Sequence, residues 1–550
     1  MIPLNNEENG LGKNYWMAMV LSMVILLGYP YLMKKFVPQK AAAPEVVSTE
    51  SADLSTSSLA DQSLSKADGP FLEPQKEATV VQFKNEFYDL DLSTFGGTIS
   101  RMEYIGEEAA SGIPTIPFYH VKEKTDNLFG LKFLNEDGDL SKTEFRLNRK
   151  ENNLFEFLFE KPGEYKITKQ YRFDETLPII HLQVFVQNLS DREKNFPMEL
   201  DYGLHYEIDN PQKERSLEAV VQTSERLVTM NHRKIAKKGF YTSGGLEWAG
   251  IIKRYFAVLV KPNWPAVSSQ SSSDEETIFS RITMEPIALA PGAETAKEFF
   301  IYAGPQRYEI LKKIDVGFEH VLSRGIFGIF KIWLLKALKF LNRFSHNFGL
   351  AIIILTLGLK GVFAPLTHMS FENMKKMQAL QPKLKSLQER YKKEPEKLNK
   401  EMMELYRRNK VNPMGGCLPM VVQIPIFIAF YQMLNEAIEL KGAAFWWIKD
   451  LAEPDKLISF PFTLPILGSH FNILPILMLG SMIWQQKLTP QTASSPEQAQ
   501  MMTFMPLVMG FLFYGMPSGL VLYWFVNNML SIIQQTIVKR MVVVLHHEDQ

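Results

Sequence analysis

The sequence predicts an α-helical membrane protein with six transmembrane helices, five of them forming a core bundle, joined to an all-β sandwich domain outside the cytoplasm. Three observations predict this class. From about residue 80 to 300, polar and apolar residues alternate in short, charge-rich runs. From about 320 onward, blocks rich in Met, Phe, Ile and Leu alternate with basic or Pro-rich connectors. The connectors differ in charge, which gives the membrane part a direction. Average composition, 46% hydrophobic with a net charge of zero, hides all three. A single cysteine, Cys417, leaves no intramolecular disulfide framework and no Cys-based metal site. Ten scattered histidines without HExxH spacing, and no P-loop, argue for neither a metal nor a cofactor.

The first element is a transmembrane anchor over 15–33, where YWMAMVLSMVILLGYPYL is uncharged and long enough to cross about 30 Å of hydrocarbon. A cleaved signal peptide fits less well, because Glu7 and Glu8 precede the apolar run and Lys34 and Lys35 follow it. Residues 34–78 are rich in Ser, Ala, Pro and Asp and read as a flexible linker. The β-sandwich follows over 79–305, with runs such as YKITKQYRF and IIHLQVFVQNLS set between Asn, Asp, Gly and Pro turns. No motif ties it to the helices, so it is expected to be separable from them. Over 306–346 a linker leads into an amphipathic helix. There Lys331, Lys336, Lys339 and Arg343 fall within about 140° of one face, the pattern of a helix lying in the membrane interface.

The membrane core is expected over 347–540, followed by a short tail over 541–550. Its spans fall at about 347–368, 414–434 and 472–489, with two more in 499–538 divided by GMPSG. The connector 369–413 carries twelve Lys and Arg against six Glu, whereas 436–471 holds three Lys and five acidic residues. The first therefore belongs in the cytoplasm and the second outside, which puts both termini in the cytoplasm; Lys34 and Lys35 beside the first span argue the other way. Within 369–413, Met374, Met377, Leu380, Leu384, Leu387 and Tyr391 recur at helical spacing, as do Leu398, Met402 and Leu405 after Glu394-Pro395. This is a helical hairpin with an apolar seam and basic outer faces: Lys375, Lys376, Lys383, Lys392, Lys393, Arg407 and Arg408.

Polar residues punctuate the spans: Thr356, Lys360, Gln423, Gln432, Ser481, Gln485, Asn527, Asn528 and Gln534. Singly, each reads as glue between helices. Lys360 differs, because a cation inside hydrocarbon costs roughly 2.5–3.5 kcal/mol on insertion scales and the spans hold no Asp or Glu to neutralise it. Snorkelling to the headgroups competes with exposure to water or to a transient partner.

KVNPMGGCLPMVVQIPIFIAFYQML (410–434), MMTFMPLVMGFLF (501–513) and PSGLVLYWFVNNMLSIIQQ (517–535) resemble the membrane core of the YidC-type membrane protein insertases, relatives of the mitochondrial and chloroplast insertases. DLSTFGGTISRMEYI and EWAGIIKRYFAVLVKP resemble, more loosely, the large periplasmic domain of the Gram-negative members. The resemblance implies a non-enzymatic insertase and chaperone of the inner membrane, working alone or with the Sec translocon. Its implied partners are nascent membrane proteins, the ribosome, the signal recognition particle receptor and lipids. It also implies a hydrophilic groove open to the cytoplasm, in which Lys360 stands where arginine is usual, with Thr356, Gln423, Tyr523 and Trp524 at other groove positions. Many members have two adjacent tyrosines where this chain has Tyr523-Trp524, which puts a hydroxyl contact there in question. Two other classes fit less well: a secondary transporter, for which internal repeats are missing, and a membrane-tethered carbohydrate-binding protein.

Overall fold

Alternating side chains build the first half. In the strand Tyr165–Phe173 the odd-numbered residues are buried and the others face outward, as a sheet with one packed face requires. The computed structural model describes residues 79–106, 116–120, 128–133, 139–205, 217–273, 277–324, 327–392, 394–412, 418–464, 468–488 and 496–548, all within the compact unit Ala78–Gln550. The expected anchor and linker, 15–78, lie outside them.

Strands Val80–Lys84, Tyr88–Ser93, Thr98–Tyr104 and Ile116–His120 pair in sequence order as one antiparallel sheet. A second sheet of 13 strands faces it, and a single core holds Tyr88, Leu90 and Leu92 from the first against Phe157, Tyr171 and Val184 from the second. Gly96 and Gly97 make the turn between two strands of the small sheet at φ +63° and +52°. A Cβ on Gly96 would come within 2.6 Å of the Ser141 backbone, so no other residue fits there. Lys169, fully buried, donates to Gly96 O at 2.9 Å and Phe129 O at 2.7 Å, while the Tyr171 hydroxyl donates to Gly97 O at 2.8 Å.

Helices follow in order: α1 (His232–Lys238) and α2 (Tyr308–Ile314) on the β domain, then α3 (Gly328–Ser345), α4 (Phe348–Arg390), α5 (Pro395–Arg408), α6 (Leu418–Glu436), α7 (Ile473–Leu488), α8 (Pro496–Phe513) and α9 (Ser518–Glu548). Asn347 caps α4 by accepting from Leu350 N–H at 3.1 Å, and Pro395 occupies the first turn of α5. The expected boundary at 368–369 does not exist, because α4 runs unbroken for 43 residues. At 1.5 Å per residue that is about 65 Å, twice the hydrocarbon core, so one helix serves as span and as first arm of the hairpin. Pro365 and Pro382 are absorbed within it. Met377, Leu380 and Leu384 pack on Tyr406 and Val411, with Met402 and Leu405 alongside, which is the expected seam. Among the described residues, α4 is the helix long and apolar enough by itself to cross a membrane.

The basic face of α3 is turned partly inward: Lys331 and Lys339 are drawn to carboxylates, while Lys336 and Arg343 stay exposed. Lys331 is 5% exposed and meets Glu436 at 2.5 Å, Lys339 meets Glu309 at 2.8 Å and Glu439 at 3.1 Å, and Lys336 lies over the Tyr308 ring. Ile329, Trp333, Phe340 and Phe344 face outward as well. Two of the carboxylates that draw the lysines inward lie far from them in sequence, Glu436 105 residues from Lys331 and Glu439 100 from Lys339, beyond any helical window.

Candidate functional site

Helical spacing gathers the site. On α4, Thr356, Lys360, Phe363 and Thr367 recur at four, three and four residues; on α9, Tyr523, Asn527 and Ser531 recur at four. The two stripes face each other, with Gln423 and Ile426 of α6 closing the third side of a cavity of about 30 Å³. That is room for one water-sized group. Leu359 and Leu366 complete the lining.

Lys360 is half-buried, and its ammonium donates to Ser531 Oγ at 2.8 Å. Ser531 passes its own proton to Asn527 O at 2.9 Å, so its oxygen is free to accept. Among the described residues no carboxylate lies within ion-pair distance of Lys360. Pro365 has no N–H, which leaves the carbonyl of Gly361, next to Lys360, without its i+4 helical donor. The Gln423 side-chain amide donates to the Tyr523 hydroxyl, and Tyr523, buried, stacks on Phe430 at 4.7 Å between ring centroids. Tyr523 thus supplies one hydroxyl here, while position 524 carries an indole where many members have a second one. Thr356 is buried and donates to Ile352 O at 2.7 Å.

Trp524 is the exception among the expected residues. One step along α9 is a rotation of about 100°, and its ring packs edge-on to Phe427 at 5.3 Å and beside Phe513 at 5.2 Å, away from the cavity lining. Ser531 was missed, although it extends the Tyr523-Asn527 stripe by one more turn. Asn528, by contrast, donates to Ser481 Oγ at 3.1 Å and joins α9 to α7 as glue.

On the hairpin Lys376, Lys383, Lys392, Arg407 and Arg408 are exposed and Lys375 is half-buried; Lys393 lies outside the described residues. Arg408 is partly neutralised by Glu404 at 2.5 Å. A larger cavity, about 310 Å³, lies in the β domain beside Lys132, Asp139, Asp201 and Arg281. Most of its charges answer one another, Lys132 to Asp201 at 2.8 Å and Arg281 to Asp201 at 2.6 Å, and Lys142, exposed, lies on its rim.

A cation half-buried among apolar helices, in a chain that also carries a β domain, points to a membrane protein. Comparison with known proteins gives the class a family. The model of the 60Kd inner membrane protein family matches residues 340–545, and that of the YidC periplasmic domain matches 80–337. The membrane protein insertase YidC of Syntrophus aciditrophicus is 33% identical over 96% of this chain and 99% of its own length. That of Geobacter sulfurreducens is 32% identical over 96% and 98%. A crystal structure of an active YidC insertase aligns over 84% of this chain and 93% of its own, at 16% identity and a TM-score of 0.36. The chain belongs to the YidC family of membrane protein insertases. It is an insertase and not an enzyme, which displaces the transporter reading.

Proposed function

We propose that the chain inserts its clients through the cavity around Lys360. The observation that carries this is an ammonium in the helical core whose partner is a neutral hydroxyl, Ser531. A buried cation held for structure alone has a carboxylate, as Lys331 has, or several acceptors, as Lys169 has in two carbonyls, whereas Lys360 has one hydroxyl. Lys360 instead keeps its charge for an acidic or polar flank of a nascent segment. The cavity takes a polar tip, not a peptide, so the client's apolar stretch stays at the lipid side. Burial at roughly 25 cal/mol per Å² then drives its release into the bilayer without nucleotide hydrolysis.

The topology that suits this route has six spans, five of them forming the core, with the β domain in the periplasm and both termini in the cytoplasm. The first anchor falls within 15–33. The net charge of +6 over 369–413, twelve basic against six acidic residues, supports it. On this topology Lys360 lies about six residues, or 9 Å, from the cytoplasmic end of its span. The hairpin's basic faces stand at the cytoplasmic mouth, where they would meet the ribosome, and the Sec translocon and the signal recognition particle receptor are further partners. Protease protection of a small client with an acidic translocated tail tests the route. Lys360→Arg should insert it, and Lys360→Ala should impair it; normal insertion by Lys360→Ala would reduce Lys360 to a snorkelling residue.

A further inference from the structure

The outer ends of the cavity-lining helices are fastened to the β domain by two guanidinium groups, and the expectation that nothing links the two parts is corrected here. Arg254 sits in the turn between strands Phe240–Lys253 and Phe256–Pro262 at φ +28°, a left-handed conformation that is costly for a residue with a Cβ. Its guanidinium lies over the Tyr255 ring, 4.7 Å from the centroid, and reaches beyond the β domain. Nε donates to Asn435 O at 3.1 Å, Nη2 to Ala452 O at 3.0 Å and Nη1 to Glu453 Oε1 at 3.0 Å. Beyond this contact, Glu453 O accepts from Ser518 N–H at 2.8 Å and Leu451 O from Gly519 N–H at 2.9 Å, the first two residues of α9. Behind it, Gln306 donates to the carbonyls of Arg254 and Phe256 and accepts from Arg324 Nη1 at 3.1 Å. Arg324 then reaches Glu436, the last residue of α6, at 3.2 Å. Ile438 of the same connector is buried in the β core.

We propose that Arg254 and Arg324 are positioning residues for insertion, setting the spacing of α6 against α9 at their outer ends and through those helices the width of the cavity. The proposal rests on the reading of that cavity as the place where clients are received. The lever arms are short: from Glu436 to Gln423 is about 20 Å along α6, and from Ser518 to Tyr523 about 8 Å along α9. The chemistry is directional as well. A planar fork that donates along three fixed vectors to two backbone carbonyls and one carboxylate sets an angle, which an apolar contact or a point charge cannot. The left-handed turn at Arg254 is the strain that aims the fork.

The test uses the full-length protein in membranes, with Cys417→Ser to remove the native thiol and Thr367→Cys as a reporter in the cavity wall. Its alkylation rate by a water-soluble maleimide is measured beside client insertion in Arg254→Gln and Arg254→Lys. Arg254→Gln should change the alkylation rate and lower insertion, each by between about twofold and thirtyfold, the range such couplings span, at unchanged membrane level. Arg254→Lys should recover less than half of either, because charge returns without the fork. Should Arg254→Gln fail to accumulate, Glu453→Gln leaves both carbonyl bonds of Arg254 in place and should give the same two changes in weaker form. Parent-level alkylation and insertion in whichever of the two accumulates would overturn the proposal. A changed alkylation rate with normal insertion would support the positioning role and overturn the client reading of the cavity, so the two failures are separable.

Discussion

Lys331 and Lys360 are both lysines held out of water, on adjacent helices, and the protein treats them in opposite ways. Lys331 lies in a balanced cluster, paired with Glu436, which also meets Arg324, itself 3.7 Å from Glu218. Lys360 has a serine. The balanced cluster joins two parts of the chain, and its groups satisfy one another. The unbalanced one leaves a charge over, and inside a bilayer an uncompensated charge is tolerated where something else makes use of it. The acceptor each ammonium meets, more than burial, separates these two lysines.

The largest expected effect comes from unbalancing the balanced cluster. Glu436→Gln takes the carboxylate from Lys331 and leaves Arg324 with Glu218 alone, a loss of about 3–5 kcal/mol when one partner of a buried pair is removed. Thermal unfolding of the full chain in detergent should show it, and adding Lys331→Met should restore part of the loss, since the stranded cation goes. No change in unfolding would mean that the joint carries no stability.

Lys169 sharpens the comparison, because it is a buried lysine with neither a carboxylate nor a client. Two carbonyls hold it, and burial pushes its ammonium well below the usual value of 10.5. Between the lowered value and 10.5 the unfolded chain binds more protons than the folded one, so raising the pH through that window adds stability. The gain is at most about 1.4 kcal/mol per pH unit. Unfolding of wild-type and Lys169→Met chains at two pH values in the window checks it: the variant should lose this rise, and an equal rise in both would remove the cause. At the Arg254 contact the slope has the same sign, because there too the folded-state value is the lower one. Burial would raise the Glu453 carboxyl, but Arg254 and Lys441 hold it below its usual 4.5, so that contribution is lost on acidification through the lowered value.

The hairpin gives a smaller effect. Its lysines are solvated, so replacing Lys376, Lys383, Lys392 and Arg407 with Gln should leave unfolding unchanged. Insertion should fall a few-fold, and ribosome association should lose its dependence on salt. Wild-type behaviour in both would leave the basic faces as a topology signal alone. Lys360→Arg is expected to change insertion least, by less than about twofold, because charge and reach both survive.

Much of this was legible in the sequence, for a physical reason. Strands such as Tyr165–Phe173 and the Met377-Leu380-Leu384 seam announce themselves because their period is local. The Thr356-Lys360 stripe was legible likewise, and adding one turn to Tyr523-Asn527 would have reached Ser531. Trp524 was misplaced because a dipeptide was read as one site although neighbours on a helix point about 100° apart. The Arg254 and Lys331 contacts were not legible, since their partners stand 199 and 105 residues away and nothing local marks the pairing. The unbroken α4 was hidden by its prolines, which the helix absorbs.

The most direct measurement exchanges charge across the cavity. Lys360→Glu is combined with two versions of one small client, one with an acidic residue in its translocated tail and one with lysine there, and protease protection of each tail is scored. One unit charge met at 4 Å is worth about 4 kcal/mol at an effective dielectric of 20. The acidic tail should therefore fall by tenfold or more in the variant, while the lysine tail should insert better there than in the wild type. Equal insertion of both tails by both proteins would contradict a client-facing charge at Lys360.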